Sequence, residues 1–184
     1  MNFLAIDFET ANYKRDSACA VGLVRVENNK VVERQTHLIK PPNAWFVFTD
    51  IHGITWKDVK NAMTFGELWP EIEHMFSGVD FLAAHNSSFD EGVLRACCDL
   101  YDIEYPDIPF RCTVKISREL WNIRPTKLNN VCEYFGIPLN HHEAGSDTEA
   151  CAQIMIRALK HMNKIEDQTF KNEPFKSRPF KRRF

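Results

Sequence analysis

Three strand-like runs occupy the first forty residues, and they constrain the fold more than any other feature of the sequence. Residues 2–8, 18–26 and 31–39 are rich in β-branched, aromatic and other apolar residues, a composition typical of strands. The segment Glu27-Asn28-Asn29-Lys30 has the composition of a turn. Because short connections favour antiparallel pairing of successive strands, the sequence predicts an antiparallel meander at the start of the chain.

Helical and strand-like segments alternate in the rest of the chain. Helical periodicity begins after Thr55, which with Asp58 has the spacing of a capping box, and it continues to Phe76. The later segments are a strand at 80–84, a helix that reaches Leu100, a strand at 110–113 and helices near 114–121, 127–135 and 147–162. A meander followed by βαβ alternation predicts an α/β protein with a mixed five-stranded sheet flanked by helices.

The length of the chain and its charge distribution predict one domain with a basic extension. A chain of 184 residues buries one sizeable core, which we place in residues 1–162. Residues 1–159 hold fifteen Lys or Arg against twenty-two Asp or Glu, whereas residues 160–184 hold eight against three. The acidic body is unlike a protein that coats duplex DNA through many basic phosphate contacts.

The basic tail at 163–184, which contains Phe and Pro, has two interpretations. It carries Pro174-Phe175-Lys176 and Pro179-Phe180-Lys181, which are too few copies for a repeat architecture. We favour a flexible, solubilising tail. The alternative is a segment that holds nucleic acid by charge and stacking.

The six cysteines and the lack of apolar leader or spanning segments predict a reduced, cytoplasmic protein. No two cysteines form a C-x-x-C pair, and most lie among apolar residues, as buried free thiols do. A structural zinc site is the alternative, but such sites usually have paired ligands two to four residues apart. The sequence has no run of eighteen apolar residues and no cleavable leader, so we expect no membrane association.

Two carboxylates end the first predicted strand. Asp7 and Glu9 stand at i and i+2, so their side chains project from the same face of the sheet. Leu4, Ile6 and Phe8 form the opposite, apolar face, so the acids do not simply mark the solvent side of an edge strand. Crowded carboxylates are costly to desolvate, and binding of a divalent cation explains their placement. Taken alone, the same pattern is also common at exposed strand ends.

A second segment, His85-Asn86-Ser87-Ser88-Phe89-Asp90, lies where a predicted strand passes into a helix. Loops that follow sheet strands are where α/β folds place their chemistry. The structural alternative is a capping box formed by Ser88 and Glu91, with Asp90 favoured at the positive end of the helix. We expect His85 to be structural rather than catalytic.

A third segment, His141-His142-Glu143-Ala144-Gly145-Ser146-Asp147, also leads into a helix. A carboxylate and a histidine five residues earlier can converge on one metal-bound water. The structural alternative is a capping box of Ser146 and Glu149, which makes Asp147 the first helical residue.

Taken in order, these segments resemble the DnaQ-like exonucleases of the DEDDh type, the family that includes the epsilon proofreading subunit of bacterial DNA polymerase III. The resemblance covers residues 1 to about 160. It rests on three motifs with intact spacing: Asp7-Phe8-Glu9-Thr10, Asn86-x-x-Phe89-Asp90 and His142-x-x-x-x-Asp147. It implies an RNase H-like fold, two Mg²⁺ or Mn²⁺ ions and removal of nucleotides one at a time from a 3′ end.

The resemblance also implies the roles of individual residues. The metal-binding acids of the family correspond to Asp7, Glu9, Asp90 and Asp147. The general base corresponds to His142, and an imidazole with an ordinary pKa of about 6.5 is suited to accept a proton at neutral pH. His141 lacks the four-residue gap to Asp147, so we treat it as a neighbour whose assistance to the base is open.

Substrate contacts are implied for residues beside the acids. The segment Ile51-His52-Gly53-Ile54-Thr55 is similar to the family's loop that packs on the terminal nucleotide, and Thr10 to the residue that contacts its 3′ hydroxyl. Phe8 and Ile54 would wedge against the last base or sugar, and Asn86 is counted among the substrate-binding residues. The alternative is a turn that feeds a helix cap.

The choice of substrate rests on overall resemblance. The segment Phe8-Glu9-Thr10-Ala11-Asn12 is closer to the DNA polymerase epsilon-like branch, so we expect action on single-stranded or frayed 3′ ends of DNA, with a polymerase partner left open. An exoribonuclease of RNA or short oligoribonucleotides is the alternative, because no motif reads the 2′-hydroxyl. A non-catalytic nucleic-acid or polymerase-binding module is the third hypothesis, and the presence of all four acids and the histidine argues against it.

Overall fold

The structure, a computed structural model, describes residues 1–172. Its strands are β1 (Asn2–Thr10), β2 (Ala18–Glu27), β3 (Lys30–Leu38), β4 (Phe81–Ala84) and β5 (Phe110–Cys112). Its helices are α1 (Thr49–His52), α2 (Trp56–Val59), α3 (Phe65–Ile72), α4 (Ser88–Leu100), α5 (Thr113–Trp121), α6 (Leu128–Phe135) and α7 (Ala144–Asn172), and a 3-10 turn at Glu73–Phe76 follows α3.

The strands form one mixed sheet in the order β3-β2-β1-β4-β5. β1, β2 and β3 pair antiparallel, whereas β4 runs parallel to β1 and β5 runs parallel to β4. The predicted α/β class, with an antiparallel meander followed by βαβ units in a five-stranded sheet, is confirmed. Because β1 and β4 are parallel neighbours, their carboxyl ends lie side by side, where such sheets bind ligands.

β1 is the central strand of the fold and contacts both hydrophobic layers. Leu4, Ile6 and Phe8 belong to the core that α3 and α4 cover. Phe3 and Ala5 belong to the core beneath α7. Because side chains alternate along a strand, the two acids that follow on β1 lie on the face covered by α7.

The helix expected over residues 55–76 is interrupted after α2. Thr64 caps the start of α3 through a capping box with Glu67, and the N–H of Lys40 donates to the carbonyl of Met63 at 2.8 Å just before it. These contacts mark an interruption between α2 and α3 that apolar periodicity alone did not reveal. The capping box expected at the start of α2 is present.

The last helix is longer at both ends than the sequence predicted. α7 runs over Ala144–Asn172 rather than over 147–162. Its C-terminal extension contains no Gly or Pro that would end the helix before Pro174. Residues 163–172 of the expected tail are therefore helical, and residues 173–184 lie outside the described residues. Within residues 1–172, no helix combines the length and the apolar composition needed to cross a membrane.

The six cysteines all fall within the described residues and are free thiols. Five are buried and Cys112 is half-buried, as the sequence predicted for unpaired thiols. The groups of His, Cys, Asp or Glu in residues 1–172 that could hold a metal contain no cysteine. The alternative of a structural zinc site therefore gains no support.

Candidate active site

The four predicted acids converge at the carboxyl end of β1. Asp7 and Glu9 project from β1, whereas Asp90 is the third residue of α4 and Asp147 the fourth residue of α7. One oxygen from each of Asp7, Glu9 and Asp147 lies within 4.8 Å of the others, and Asp90 lines the same cavity of about 260 Å³. The cavity wall is completed by Phe8, His85, Asn86, Phe89, Leu128, His141 and His142.

Gly22 allows α7 to approach the acids of β1. In the register of the sheet, Gly22 of β2 lies opposite Asp7. A Cβ atom at this glycine would collide with the carbonyl oxygen of Ala144 and the hydroxyl of Thr148. The first turn of α7, which carries Asp147, therefore rests directly on β2 beside Asp7.

Burial raises the pKa of all four carboxyls. For Asp7, burial and then the charges of the other acids raise the pKa well above its usual value. Burial, followed by Asp147 and Asp90, raises the pKa of Glu9 to about 8. Burial likewise raises the pKa of Asp90 to about 7 and raises that of Asp147. The site therefore does not hold four negative charges at neutral pH unless a cation compensates them.

The two oxygens of Asp147 have different surroundings. Oδ2 accepts hydrogen bonds from Nδ1 of His141 at 3.0 Å and from the backbone N–H of His142 at 3.1 Å. Oδ1 is buried and has no hydrogen-bond partner among residues 1–172. An orphaned buried acceptor costs about 1–3 kcal/mol, and a cation among the acids removes that cost. Because carboxylate oxygens suit Mg²⁺ and Mn²⁺, the residues present fit the implied metals.

Helix capping does not explain the placement of these acids. Ser88 is the first residue of α4 rather than its cap, so the alternative of a capping box formed by Ser88 and Glu91 is wrong. In α7, Ser146 lies inside the first turn, where its hydroxyl accepts the N–H of Asn140 at 2.8 Å. Glu149 instead pairs with Arg34 at 2.7 Å, so the alternative of a capping box formed by Ser146 and Glu149 is wrong as well.

His142 stands at the mouth of the cavity. Its side chain is exposed, and its φ of 68° is in the left-handed region that residues other than glycine seldom adopt. Its ring stacks on the ring of His141, with centroids 3.8 Å apart and planes 18° apart. Burial and then His141 lower the pKa of His142, so at neutral pH the ring is mostly uncharged and able to accept a proton.

His85 and Asn86 have different surroundings. Nε2 of His85 lies 3.1 Å from the carbonyl of Thr126 and Nδ1 lies 2.8 Å from the hydroxyl of Thr113, and burial lowers its pKa to about 4. These contacts give His85 a structural position. Asn86 is exposed with a φ of 81°, and its carbonyl accepts the N–H of Phe89 at 2.9 Å. Its side chain is therefore available at the cavity wall.

The loop at residues 51–55, which was expected to pack on the terminal nucleotide, is attached to β1 through His52. Nδ1 of His52 accepts the N–H of Ile54 at 3.0 Å, which leaves the proton on Nε2 to be donated to the carbonyl of Thr10 at 3.2 Å. His52, Gly53 and Ile54 line a second cleft of about 580 Å³ next to the histidines. Gly53 is exposed with a φ of 76°. The loop therefore presents Gly53 and Ile54, while the ring nitrogens of His52 are used within the protein.

Phe8 and Thr10 offer little surface to a ligand. The side chain of Phe8 is 3% exposed and packs against Phe65, with ring centroids 6.3 Å apart. Thr10 is 5% exposed. Both adjoin the acids, and contact of either residue with a nucleotide stays a prediction.

An aromatic patch of the exposed Tyr13 and Trp45 and the half-buried Phe48 lies on the segments that follow β1 and precede α1. Tyr13 is 72% exposed and Trp45 51% exposed, and the ring centroid of Tyr13 lies 6.4 Å from Trp45 and 4.9 Å from Phe48. The side chain of Asn12 donates to the carbonyl of Trp45 at 2.9 Å, which joins the patch to the chain that follows Glu9. Sequence reasoning missed this patch, although four consecutive apolar residues begin at Trp45 in a segment without strand or helix periodicity.

Comparison with known proteins places the chain in a family. The profile of a family described as exonuclease, of the RNase T type, matches residues 4–155. A PolC-type DNA polymerase III of Clostridium perfringens is 30% identical over 171 residues, which cover 90% of this chain and 12% of that protein. The 3′-5′ exonuclease DinG of Bacillus subtilis is 28% identical over 177 residues, which cover 92% of this chain and 19% of that protein. The chain thus spans only a minor part of the length of these relatives.

A solved structure, Exonuclease X in complex with 5′ overhanging duplex DNA, has a TM-score of 0.72 and 22% identity, and the match covers 88% of this chain and 93% of that chain. At this identity the likeness shows a shared fold, and it confirms the RNase H-like architecture. The family profile and the order of the three motifs agree with that fold. The chain belongs to the exonuclease family that this profile describes.

Proposed function

We propose that this chain is a 3′–5′ exonuclease that releases nucleotides stepwise from the 3′ end of DNA by metal-dependent hydrolysis of phosphodiester bonds. The observation that carries the proposal is the cluster of two buried carboxylates, Asp90 and Asp147, and two half-buried ones, Asp7 and Glu9. The unpartnered Oδ1 of Asp147 lies among them, and the exposed ring of His142 lies beside them. The name of the DinG relative, a 3′-5′ exonuclease, supports the direction. In this proposal residues 1–162 form the exonuclease domain.

Two divalent cations, Mg²⁺ or Mn²⁺, would be held by Asp7, Glu9, Asp90 and Asp147. When bound, such ions activate a water and stabilise the departing 3′ oxygen. The protein holds the carboxylates in place: the N–H of Phe8 donates to Oδ1 of Asp90 at 3.0 Å, and two donors hold Oδ2 of Asp147. Pre-positioned ligands reduce the reorganisation needed when the reaction begins.

His142 is the general base in this proposal. Its ring is exposed and lines the cavity with the acids, and one of its nitrogens lies within 4.8 Å of a carboxylate oxygen of Asp147. Its lowered pKa keeps the ring neutral at pH values where the enzyme would work. The solvent-exposed position then lets the accepted proton leave to bulk water.

The aromatic patch supports an unpaired 3′ end as the substrate. Bases of a single strand stack on exposed aromatic rings with little sequence preference. Lys14 and Arg15, which are exposed, follow Tyr13 directly and place positive charge beside the patch in an otherwise acidic body. A base-paired end keeps its bases stacked in the duplex, so it would use the patch less.

The direct test compares 5′-labelled single-stranded DNA, duplex DNA and RNA of one sequence in Mg²⁺, Mn²⁺ and EDTA. The proposal expects a ladder that shortens from the 3′ end of single-stranded DNA with either metal, and no ladder in EDTA. The matched control is Asp7→Asn, which removes one ligand and should yield no ladder.

The outcomes of this test separate the competing functions. Faster shortening of RNA than of DNA would replace the proposal with the exoribonuclease alternative. Retention of nucleic-acid binding without hydrolysis in either metal would favour the non-catalytic binding module. Internal cleavage without a ladder would contradict the exonucleolytic direction.

Partner and compartment belong to the same proposal. The PolC-type relative is a DNA polymerase III, so a polymerase or replication partner for this chain is an inference from that name. Six free thiols support a reducing compartment such as the cytoplasm. Co-purification of a tagged chain with replication proteins would test the first inference.

A further inference from the structure

His141 contacts both a proposed metal ligand, Asp147, and the proposed general base, His142. Its Nδ1 lies 3.0 Å from Oδ2 of Asp147, a side chain that is only 6% exposed. Its ring is stacked on the ring of His142 at 3.8 Å between centroids. The inference that follows rests on the proposed function, because it concerns how this site orients a metal ligand and the general base.

The hydrogen bond from His141 determines which oxygen of Asp147 is free. The terminal torsion of an aspartate is broad and is held only by its contacts. Here two donors, Nδ1 of His141 and the N–H of His142, occupy Oδ2. The carboxylate plane is therefore fixed, and the buried Oδ1 is left without a partner among the described residues.

The stacked ring of His141 also supports the orientation of His142, the proposed general base. His142 is exposed and lies in a loop with left-handed backbone, where an unsupported side chain would sample several rotamers. The ring of His141, anchored through Nδ1 to a buried carboxylate, provides a flat surface against which His142 packs. One residue thus links the orientation of the acid to the orientation of the base.

We infer that His141 is a positioning residue, which fixes Asp147 through Nδ1 so that Oδ1 is available to a divalent cation, and which supports the ring of His142 by stacking. The competing role is that of the base itself, since a histidine bound to a carboxylate through Nδ1 is a common arrangement of general bases. If His141 positions Asp147, removing its hydrogen bond weakens metal binding, and turnover recovers at saturating metal. If His141 is the base, its removal lowers turnover at any metal concentration.

Two substitutions separate the hydrogen bond from the stacked ring. His141→Asn keeps an N–H donor on the atom that corresponds to Nδ1 but removes the ring, whereas His141→Phe keeps a ring and removes the donor. His142→Phe removes the proposed base. His74→Phe is the matched control, because His74 is exposed and pairs with Glu33 on another part of the surface.

The first readout is Mn²⁺ affinity without substrate, measured by paramagnetic resonance of free Mn²⁺. Partners that orient metal ligands are typically worth about 10-fold to 100-fold in affinity, so His141→Phe should bind Mn²⁺ about tenfold more weakly. His141→Asn should recover most of this loss, and His74→Phe should match the wild type. Far-ultraviolet circular dichroism of each variant checks that it is folded.

The second readout is turnover of single-stranded DNA at saturating Mn²⁺. His141→Phe should regain most of its turnover there, whereas His142→Phe should stay at least about 100-fold slower at any metal concentration. The inference is overturned if folded His141→Phe binds Mn²⁺ like the wild type, or if it loses turnover at saturating metal while His142→Phe retains it. Absence of turnover in the wild type would contradict the proposed function instead, and the Mn²⁺ affinities would still test the positioning role.

Discussion

Glu9 and Asp90 hold their protons at pH values where ordinary carboxyls are ionised, with pKa values raised to about 8 and about 7. Burial is the first cause in both cases, and for Glu9 the charges of Asp147 and Asp90 follow. Asp7 is shifted in the same direction by the same causes. At the scale of single residues, the groups proposed to bind metal therefore oppose folding when no metal is present, as strained functional groups often do.

The metal-free protein should lose stability as the pH rises. A carboxyl with a higher pKa in the folded state binds its proton more tightly when folded, so its stabilising effect is lost as the pH passes through the folded-state pKa. With pKa values of about 7 and about 8 for Asp90 and Glu9, the free energy of unfolding in EDTA should fall between about pH 6.5 and about pH 8.5. At lower pH, the free energy of unfolding should rise with pH because the pKa of His85 is lowered to about 4. Measurements within the window avoid most of this opposing effect.

Added Mg²⁺ should reverse this loss, because a cation favours the ionised carboxylates. The rise in thermal midpoint on replacing EDTA with Mg²⁺ should therefore be larger at the upper end of the window than at the lower end. Differential scanning calorimetry at both ends measures it. An equal rise at both pH values would show that the buried acids are not the groups that bind the metal.

Asp7→Asn should separate stability from function. On folding, Asp7 must either take up a proton or stay ionised beside the other acids, as its raised pKa indicates. Asn is neutral in both states, so the substitution should raise the metal-free free energy of unfolding by about 1 kcal/mol or more, or about 2–4 °C per kcal/mol in thermal midpoint. Hydrolysis of labelled DNA should fall by more than about 100-fold, since loss of a partner that only orients a metal ligand already costs about 10-fold to 100-fold. Thermal unfolding in EDTA and a ladder assay check the two effects, and a variant that is both less stable and still active would contradict the site.

At the scale of elements, the site depends on how closely α7 packs on β2. Gly22 lies opposite Asp7 in the sheet, and its missing side chain is the space that the first turn of α7 occupies. The hydrogen bond between the N–H of Phe8 and Asp90 joins α4 to β1 in a similar way. The acids converge because α7 packs on β2 and α4 is joined to β1. Substitutions that change this packing should therefore alter metal binding even when they replace no metal ligand.

Gly22→Ala tests this dependence. The added methyl group should push the start of α7 away from β2, lowering the free energy of unfolding by about 1–3 kcal/mol and weakening Mn²⁺ binding because Asp147 moves with the helix. The matched control is Gly92→Ala in α4, where the nearest atom outside the helix backbone lies 3.5 Å from the new Cβ. That control should be neutral or stabilising by about 0.5–1 kcal/mol. Mn²⁺ affinity and thermal unfolding of both variants measure the difference, and equal behaviour of the two would refute the packing argument.

Features that depend on neighbouring residues could be predicted from the sequence, whereas contacts between distant segments could not. The strands and the acids on β1 were predictable, since alternation of side chains and motif spacing are properties of neighbouring residues. The break before Thr64 had a local signal in the capping-box spacing of Thr64 and Glu67. The contact between Lys40 and Met63 had none, because it joins segments that are distant in sequence. The two environments of the Asp147 oxygens were equally hidden, since they arise only when the loop folds back on α7.

At the scale of the whole molecule, the distribution of exposed apolar side chains is uneven. Among the described residues, four of the nine large exposed hydrophobic side chains come from two segments that hydrogen bonds join near the end of β1, whereas the other five are spread over other elements. The four are Tyr13, Trp45, Val47 and Ile51. Such concentration on one side of a molecule is typical of binding surfaces. Helix α1, which follows Phe48, lines the second cleft, and His141 and His142 line both that cleft and the cavity that holds the acids. We therefore expect a path from the patch through the cleft to the acids.

Trp45→Ala tests whether this path carries the unpaired strand. Stacking of one base on an aromatic ring is worth about 1–3 kcal/mol, and about 1.4 kcal/mol corresponds to a tenfold change, so KM for single-stranded DNA should rise about tenfold. The rate at saturating substrate should change little, because Trp45 does not line the cavity that holds the acids. Blunt duplex DNA should be affected less than single-stranded DNA.

Tyr134→Ala provides the control for that experiment. Tyr134 is 60% exposed and packs edge-on against Phe135 in α6, at 4.9 Å between ring centroids, so it matches the exposure of the patch without belonging to it. Its removal should leave KM for single-stranded DNA unchanged. If Trp45→Ala and Tyr134→Ala raise KM equally, exposed aromatic residues affect binding wherever they lie, and the path from the patch to the acids does not select the unpaired end.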